Sequence, residues 1–307
     1  MSIAISIIAV YLFVLIGYIL KGYFKEKIAE QSLVLISVYG LQPILVFWSL
    51  SLKTIDKELA LVPFIFLLFI VIVALFCYVW GRIFFNEQKD RSILTSSSAI
   101  NNTANLGVPM AIACFGLDSV IYTGLMIIAN IFIIQTLGVY SYSRGEFSIK
   151  NSLLNILKLP AFSAAVVAIT LNVLNVELHK SLLSTLEMGA FGLMTLQLVL
   201  FGIFLNQVQI KEINKKLLLH VNIIKYIFSP LVCIALIYIF NLPDLFAGVL
   251  MLLVLTPTAV NNISLAALFK CNPLQVTTVV FVTSVIFIPV LFIFVYILKL
   301  VGNSALL

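Results

Sequence analysis

Asn101-Asn102-Thr103-Ala104-Asn105-Leu106-Gly107-Val108-Pro109 interrupts a long apolar run, and its reading decides the fold. Three asparagines and a Gly-x-Pro are costly in hydrocarbon unless protein or water receives their polar groups. Proline removes an amide donor and clashes with the preceding turn, so the helix is predicted to break near Gly107 and restart with Pro109 in its first turn. Thr95, Ser98, Asn102 and Asn105 fall at i, i+3, i+7 and i+10, one polar stripe on one helical face. A second stretch has the same make-up: Thr256-Pro257-Thr258-Ala259-Val260-Asn261-Asn262-Ile263-Ser264, with Pro257 near the centre of the apolar run 245–269. Thr256 is placed to cap the half-helix that Pro257 begins.

The surrounding composition identifies the solvent. Of 307 residues, 63% are AVILMFWYC and only 10% are charged, against about 45–50% apolar and 25% charged in soluble proteins. That excludes a water-soluble globule, a disordered chain and a coiled coil. Cys77, Cys114, Cys233 and Cys271 form no CxxC pair and read as small apolar fillers, not as a disulfide framework. A span needs about 20 apolar residues, so with connections the chain has room for about ten and none for a separate catalytic domain. Apolar runs lie at 3–22, 32–52, 59–86, 92–116, 119–141, 152–176, 181–205, 218–240, 245–269 and 274–300. All are read as helices, because an open sheet leaves edge groups unbonded in lipid and barrel strands alternate polar with apolar. The first lacks a basic leader and a small-residue cleavage site, so it is read as a membrane helix and not a signal peptide.

Net charge is +6, and its placement is one-sided. Lys21, Lys25 and Lys27 fall in the first connection, Arg82, Lys89 and Arg91 in the third, and Arg144, Lys150 and Lys158 in the fifth. The seventh is assigned Lys211, Lys215, Lys216 and Lys225, and the ninth Lys270. These are fourteen of the eighteen basic residues; Lys53, Lys57, Lys180 and Lys299 remain for the other face. The positive-inside rule then makes the five loops cytoplasmic and puts both termini outside. Charges spread over five loops and broken by acids do not form a nucleic-acid surface.

The charged connection Ser143 to Asn151 divides the chain into two five-span halves, 1–145 and 146–307. A unit with an odd number of spans has its second copy inverted, as in many secondary transporters. In each half the fourth span carries a proline, an asparagine cluster and a lone acid (Asp118, Asp244) at its outer end. Interrupted helices in matching positions point to a transport site, because half-helix N-termini present unpaired N–H groups and positive dipole ends that attract anions.

Asn101 to Met110, followed by Phe115-Gly116, resembles the fourth-span motif of the auxin efflux carrier family, which includes plant PIN-type carriers and bacterial malate or malonate permeases. Pro257 to Ala266 is similar to the ninth-span motif of that family. Leu41-Gln42-Pro43-Ile44-Leu45-Val46-Phe47, Leu200 to Leu205 and Ser229-Pro230-Leu231 agree with it. Ala104 stands where the motif commonly has glycine, and Thr195 where relatives often have proline. The resemblance implies an all-α integral membrane protein of ten spans in two inverted five-helix repeats. It further implies that helices 4 and 9 cross at their prolines, that substrate binds beside the crossover by elevator-like alternating access, and that the protein is a homodimer.

The reading is a bacterial inner-membrane carrier, not an enzyme, that exports or exchanges a small organic anion such as a carboxylate without a cofactor or bound metal. Pro109 and Pro257 break the crossing helices and Gly107 allows close backbone approach. Asn102, Asn105, Asn261 and Asn262 bind the ligand or hold the crossover, with Thr258 and Gln42 ranked next. Gln197, Asn130 and Gln135 carry less weight. All Asp and Glu residues lie near span ends, which argues against exchange driven by an intramembrane carboxylate. Two other readings are weighed: a sodium-coupled symporter of the bile-acid type, and an integral-membrane enzyme, which no acid, base and nucleophile set supports.

Overall fold

A computed structural model describes residues 3–143, 148–207 and 214–300. Arg144, Lys211 and the division between 145 and 146 lie outside the described residues, as does the side chain of Lys299. In chain order the helices are α1 (Ile5–Lys27), α2 (Glu30–Ser51), α3 (Lys57–Phe84), α4 (Gln88–Ala99), α5 (Thr103–Phe115), α6 (Leu117–Ser143), α7 (Lys150–Leu157), α8 (Pro160–Val173), α9 (Lys180–Asn206), α10 (Lys215–Phe240), α11 (Asp244–Leu255), α12 (Asn261–Leu268) and α13 (Pro273–Leu298). Among the described residues the chain is all helical, and its one extended pairing is an isolated antiparallel bridge between Asn101 and Thr258.

Seven helices, α1, α2, α3, α6, α9, α10 and α13, are each long and apolar enough to cross a membrane. The pair α7 and α8 makes an eighth if it is one span. That pair corrects the single helix expected over 152–176, since it is bent by 69°. The cause is Pro160, which bars Leu159 from the helical region and leaves it extended (φ −77°, ψ 122°). Large apolar side chains cover the outside: Ile5, Ile8, Leu12, Leu15 and Ile19 form an exposed stripe at helical spacing along α1, and Leu75, Val79 and Ile83 do so on α3. Such a surface suits lipid and no aqueous solvent.

The opposite face of α1 meets α9 backbone to backbone. A Cβ on Gly17 would lie 1.9 Å from the carbonyl oxygen of Val199, and one on Gly202 would lie 1.9 Å from that of Val14. Only glycine permits this approach, the usual route to tight helix pairs in lipid. On α8, Ala161, Ala165 and Ala168 are buried. Farther along, Asn172 donates to the carbonyls of Leu50 (3.0 Å) and Lys53 (2.8 Å) and accepts from the Ile55 amide (2.8 Å), which fixes the turn after α2.

Of four wide helical turns among the described residues, three, Ile36–Leu41, Thr103–Gly107 and Ile224–Phe228, end two residues before Pro43, Pro109 and Pro230, and the fourth, Ile134–Gly138, has no proline beside it. Proline supplies no N–H and its ring collides with the carbonyl four residues back. Widening the turn to i→i+5 bonding accommodates both without ending the helix. Here the fourth-run expectation is corrected: α5 passes through Gly107 and Pro109 as continuous helix, and the break lies earlier, at Ile100 to Asn102.

Candidate functional site at the helix crossing

The rods α4–α5 and α11–α12 are interrupted where they meet. Ile100 ends α4 in an extended conformation (φ −97°, ψ 103°), and Thr256 ends α11 likewise (φ −56°, ψ 150°), as a residue before proline must. Between them the Asn102 amide donates to the Pro257 carbonyl (2.9 Å) and the Ala259 amide to the Ile100 carbonyl (3.0 Å). Pro257, like Ile100, supplies only a carbonyl to this pairing, so its missing N–H leaves nothing unsatisfied. Each break thus supplies the hydrogen bonds that the other lost.

Side chains clamp the crossing. Thr258 donates from Oγ1 to the Ser97 carbonyl (2.7 Å), and its amide donates to Thr283 Oγ1 of α13 (3.2 Å). Asn262 donates to the Ala259 carbonyl (3.0 Å) and accepts from the Tyr142 hydroxyl (3.0 Å). Both are fully buried and neither borders the cavity described below, so they hold the crossover. Thr256 does not cap the second half-helix: its hydroxyl donates to Leu253 (2.7 Å) at the end of α11, and α12 begins only at Asn261. Pairing of Thr258 with Asn101 keeps that segment extended past Pro257. Gly107 makes room for a side chain, not a backbone, since a Cβ there would lie 2.4 Å from Leu253 Cδ2.

Beside the crossing lies a cavity of about 170 Å³. It is smaller than the roughly 300–1,000 Å³ typical of sites for drug-sized ligands, a size for a small solute. Thr103, Ala104 and Asn105 at the start of α5 and Asn261 at the start of α12 border it, so two positive helix ends face one space. Gln42 of α2 and Asn102 border it as well, with Asn130 and Gln135 of α6 and Gln197 of α9. The sequence-predicted amides Asn102, Asn105, Asn261 and Gln42 therefore converge. Thr95 and Ser98 do not join them, because the break separates α4 from Asn102 and Asn105; the expected single stripe is not one face.

Asn101 also borders the cavity, and with it eight side-chain amides do. Asn101 Nδ2, Asn102 Nδ2, Asn130 Oδ1 and Gln197 Oε1 are buried without a hydrogen-bond partner among the described residues. Polar atoms left open in a protein interior cost free energy unless water or a ligand meets them. No Asp or Glu borders the cavity.

The charge pattern assigns Lys225 to a cytoplasmic loop, and the structure corrects this. It lies inside α10 with no exposed surface, and its ammonium donates to Asn101 Oδ1. The signal was present, since the apolar run 218–240 contains it. Without it the sequence pattern still sets thirteen basic residues against four, two of the thirteen, Arg144 and Lys211, lying outside the described residues.

A family model described as membrane transport protein matches residues 2–295. The chain belongs to this family, the auxin efflux carriers. The transporter is 24% identical over 289 residues to an uncharacterised transporter, MJ1031, of Methanocaldococcus jannaschii. That match covers 91% of this chain and 93% of the relative. In this transporter the two motif stretches that carry the resemblance are the two interruptions paired at the crossing.

Proposed function

We propose that this transporter moves a small organic anion such as a carboxylate by alternating access at the crossing of α4–α5 with α11–α12. In this reading α4–α5, α11–α12 and α7–α8 are each one span, which gives ten spans in two inverted five-helix repeats, 1–145 and 146–307. Both termini are outside a bacterial inner membrane and the carrier is a homodimer. The observation that carries the proposal is the cavity bounded by the N-terminal ends of α5 and α12, lined by amides and free of carboxylates. Helix N-termini favour negative charge by about 0.3–1 kcal/mol each near a surface, and more when buried. Asn102, Asn105, Asn261 and Gln42 hydrogen-bond the ligand. Thr258, Asn262, Pro109 and Pro257 shape the crossing.

No intramembrane carboxylate is used for coupling. An outward-positive potential alone favours exit of an anion by about 2.3 kcal/mol per charge per 100 mV. The test is a thermal-shift screen of the purified protein against mono- and dicarboxylates, followed by liposome flux with and without a sodium gradient. A ligand at 100 times its Kd stabilises the folded state by about 2.7 kcal/mol. Stabilisation by carboxylates and sodium-independent flux are expected. No response to any carboxylate, or strict sodium dependence, contradicts the proposal, the latter in favour of a sodium symporter.

A further inference from the structure

Lys225 is the feature that the reading above leaves unused. It is fully buried, and among the described residues the one ion pair is Lys21 with Glu30, at the junction of α1 and α2. A buried lysine with no carboxylate beside it is costly to keep charged, and such residues inside a membrane protein mark functional positions. Its partner is an amide oxygen, Asn101 Oδ1, at the point where the two interrupted rods pair.

That contact fixes the chemistry of Asn101. A lysine ammonium has three donors and no acceptor, so the atom of Asn101 that meets it is the carbonyl oxygen. The amide nitrogen is then directed away from Lys225, and Asn101 Nδ2 has no partner among the described residues. A flip of the Asn101 amide would set its NH2 against the donors of Lys225, so the lysine contact itself holds the orientation. Asn101 borders the cavity, and the adjacent Asn102 Nδ2 is open too. One wall of the cavity thus offers N–H donors with the Lys225 amine behind them.

We propose that Lys225 is the positioning residue that gives the cavity its preference for anions: it holds Asn101 with the amide nitrogen free for the ligand and supplies the positive charge that pairs with a bound anion. The inference rests on the proposed function, which it deepens by assigning the selectivity to one residue. A carboxylate bound there completes the hydrogen bonds of Asn101 and supplies the missing counter-charge. A neutral amide of the same shape accepts the hydrogen bond but supplies no counter-charge.

The experiment compares short carboxylates with their matching primary amides, for example butyrate with butyramide and succinate with succinamide, as substrates in proteoliposomes. Wild type, Lys225→Met, Lys225→Arg and Asn101→Asp are measured. Wild type is expected to prefer the acid. In Lys225→Met the KM for the acid rises and the acid-to-amide preference falls by about tenfold or more, the scale of one hydrogen bond to a charged group, while the amide, which gains nothing from the charge, loses less. Lys225→Arg retains the preference, since the charge and the donor remain. Asn101→Asp pairs with Lys225 and cancels the charge without deleting the amine, so it loses the preference even if Lys225→Met does not fold. An unchanged preference in Lys225→Met or Asn101→Asp, or an equal loss for acid and amide, overturns the role of Lys225 and leaves the anion-carrier reading intact. A wild type that carries none of the acids overturns both.

Discussion

Gly107→Ala tests whether the two interrupted rods touch where the structure places them. The added Cβ would lie 2.4 Å from Leu253 Cδ2, where ordinary contact is 3.4–4 Å, and the next atoms met, Asn102 O at 3.4 Å and Leu253 Cγ at 3.8 Å, are tolerable. The clash is therefore with one methyl group, about 1 Å too close. Leu253 is fully buried and cannot swing into lipid. Overpacking of this kind costs about 1–3 kcal/mol, partly offset by the better helix propensity of alanine, up to about 1 kcal/mol. Leu253→Ala alone costs about 2–5 kcal/mol by opening a cavity. In the double variant the new methyl occupies part of the space that Leu253 vacates, so the two losses do not add. Denaturant unfolding of the four proteins in mixed micelles should give a favourable coupling energy of about 1–3 kcal/mol. Additivity within about 0.5 kcal/mol would mean that α5 and α11 are not packed through this pair, and the crossing as described would be wrong.

Neighbouring asparagines should behave differently. Asn105→Ala and Asn261→Ala, which alter the cavity wall, are expected to lower flux while leaving the melting temperature nearly unchanged. Asn262→Ala and Tyr142→Phe break a buried hydrogen bond and should lower stability by about 1–3 kcal/mol each; wild-type flux in both cavity variants would refute the site. Gly202→Ala places a methyl 1.9 Å from the Val14 carbonyl, a backbone atom that cannot yield, whereas Gly192→Ala on the same helix meets nothing within 4 Å. The first should melt well below wild type and the second at or above it; equal melting would contradict the contact of α1 with α9.

Sequence made the helical class legible because hydrophobic runs and scarce charge leave few alternatives in lipid, and it located both interruptions through proline beside asparagine. It misplaced the first break. Pro109 reads as a helix breaker, but a wide turn absorbs its ring, and the true break at Asn101 is set by backbone pairing with Thr258 some 157 residues away. No local signal encodes that partner. The division of labour between Asn261 and Asn262 was invisible for a related reason: one residue of helical rotation turns the first toward the cavity and the second toward Tyr142. The burial of Lys225 is hidden by counting every lysine toward the loops, although the apolar residues on both sides of it place it inside the run 218–240. Gly17 and Gly202 gave no warning, since single glycines in apolar helices are common and only the packing shows which ones touch.

The central claim is that the two interruptions meet, and a disulfide across them tests it most directly. Asn101 and Thr258 form a bridge flanked by hydrogen bonds on both sides, the non-bonded type of antiparallel pair, whose Cα atoms stand about 4.5 Å apart. That falls within the roughly 4.4–6.8 Å a disulfide spans. The pair Asn101→Cys and Thr258→Cys is introduced after replacing the four buried native cysteines, then oxidised mildly in native membranes. Cross-linking of most molecules, absent from either single variant, is predicted. Two free thiols that label only after denaturation, with no bridge under oxidant, would show that the interruptions lie apart and would contradict the account.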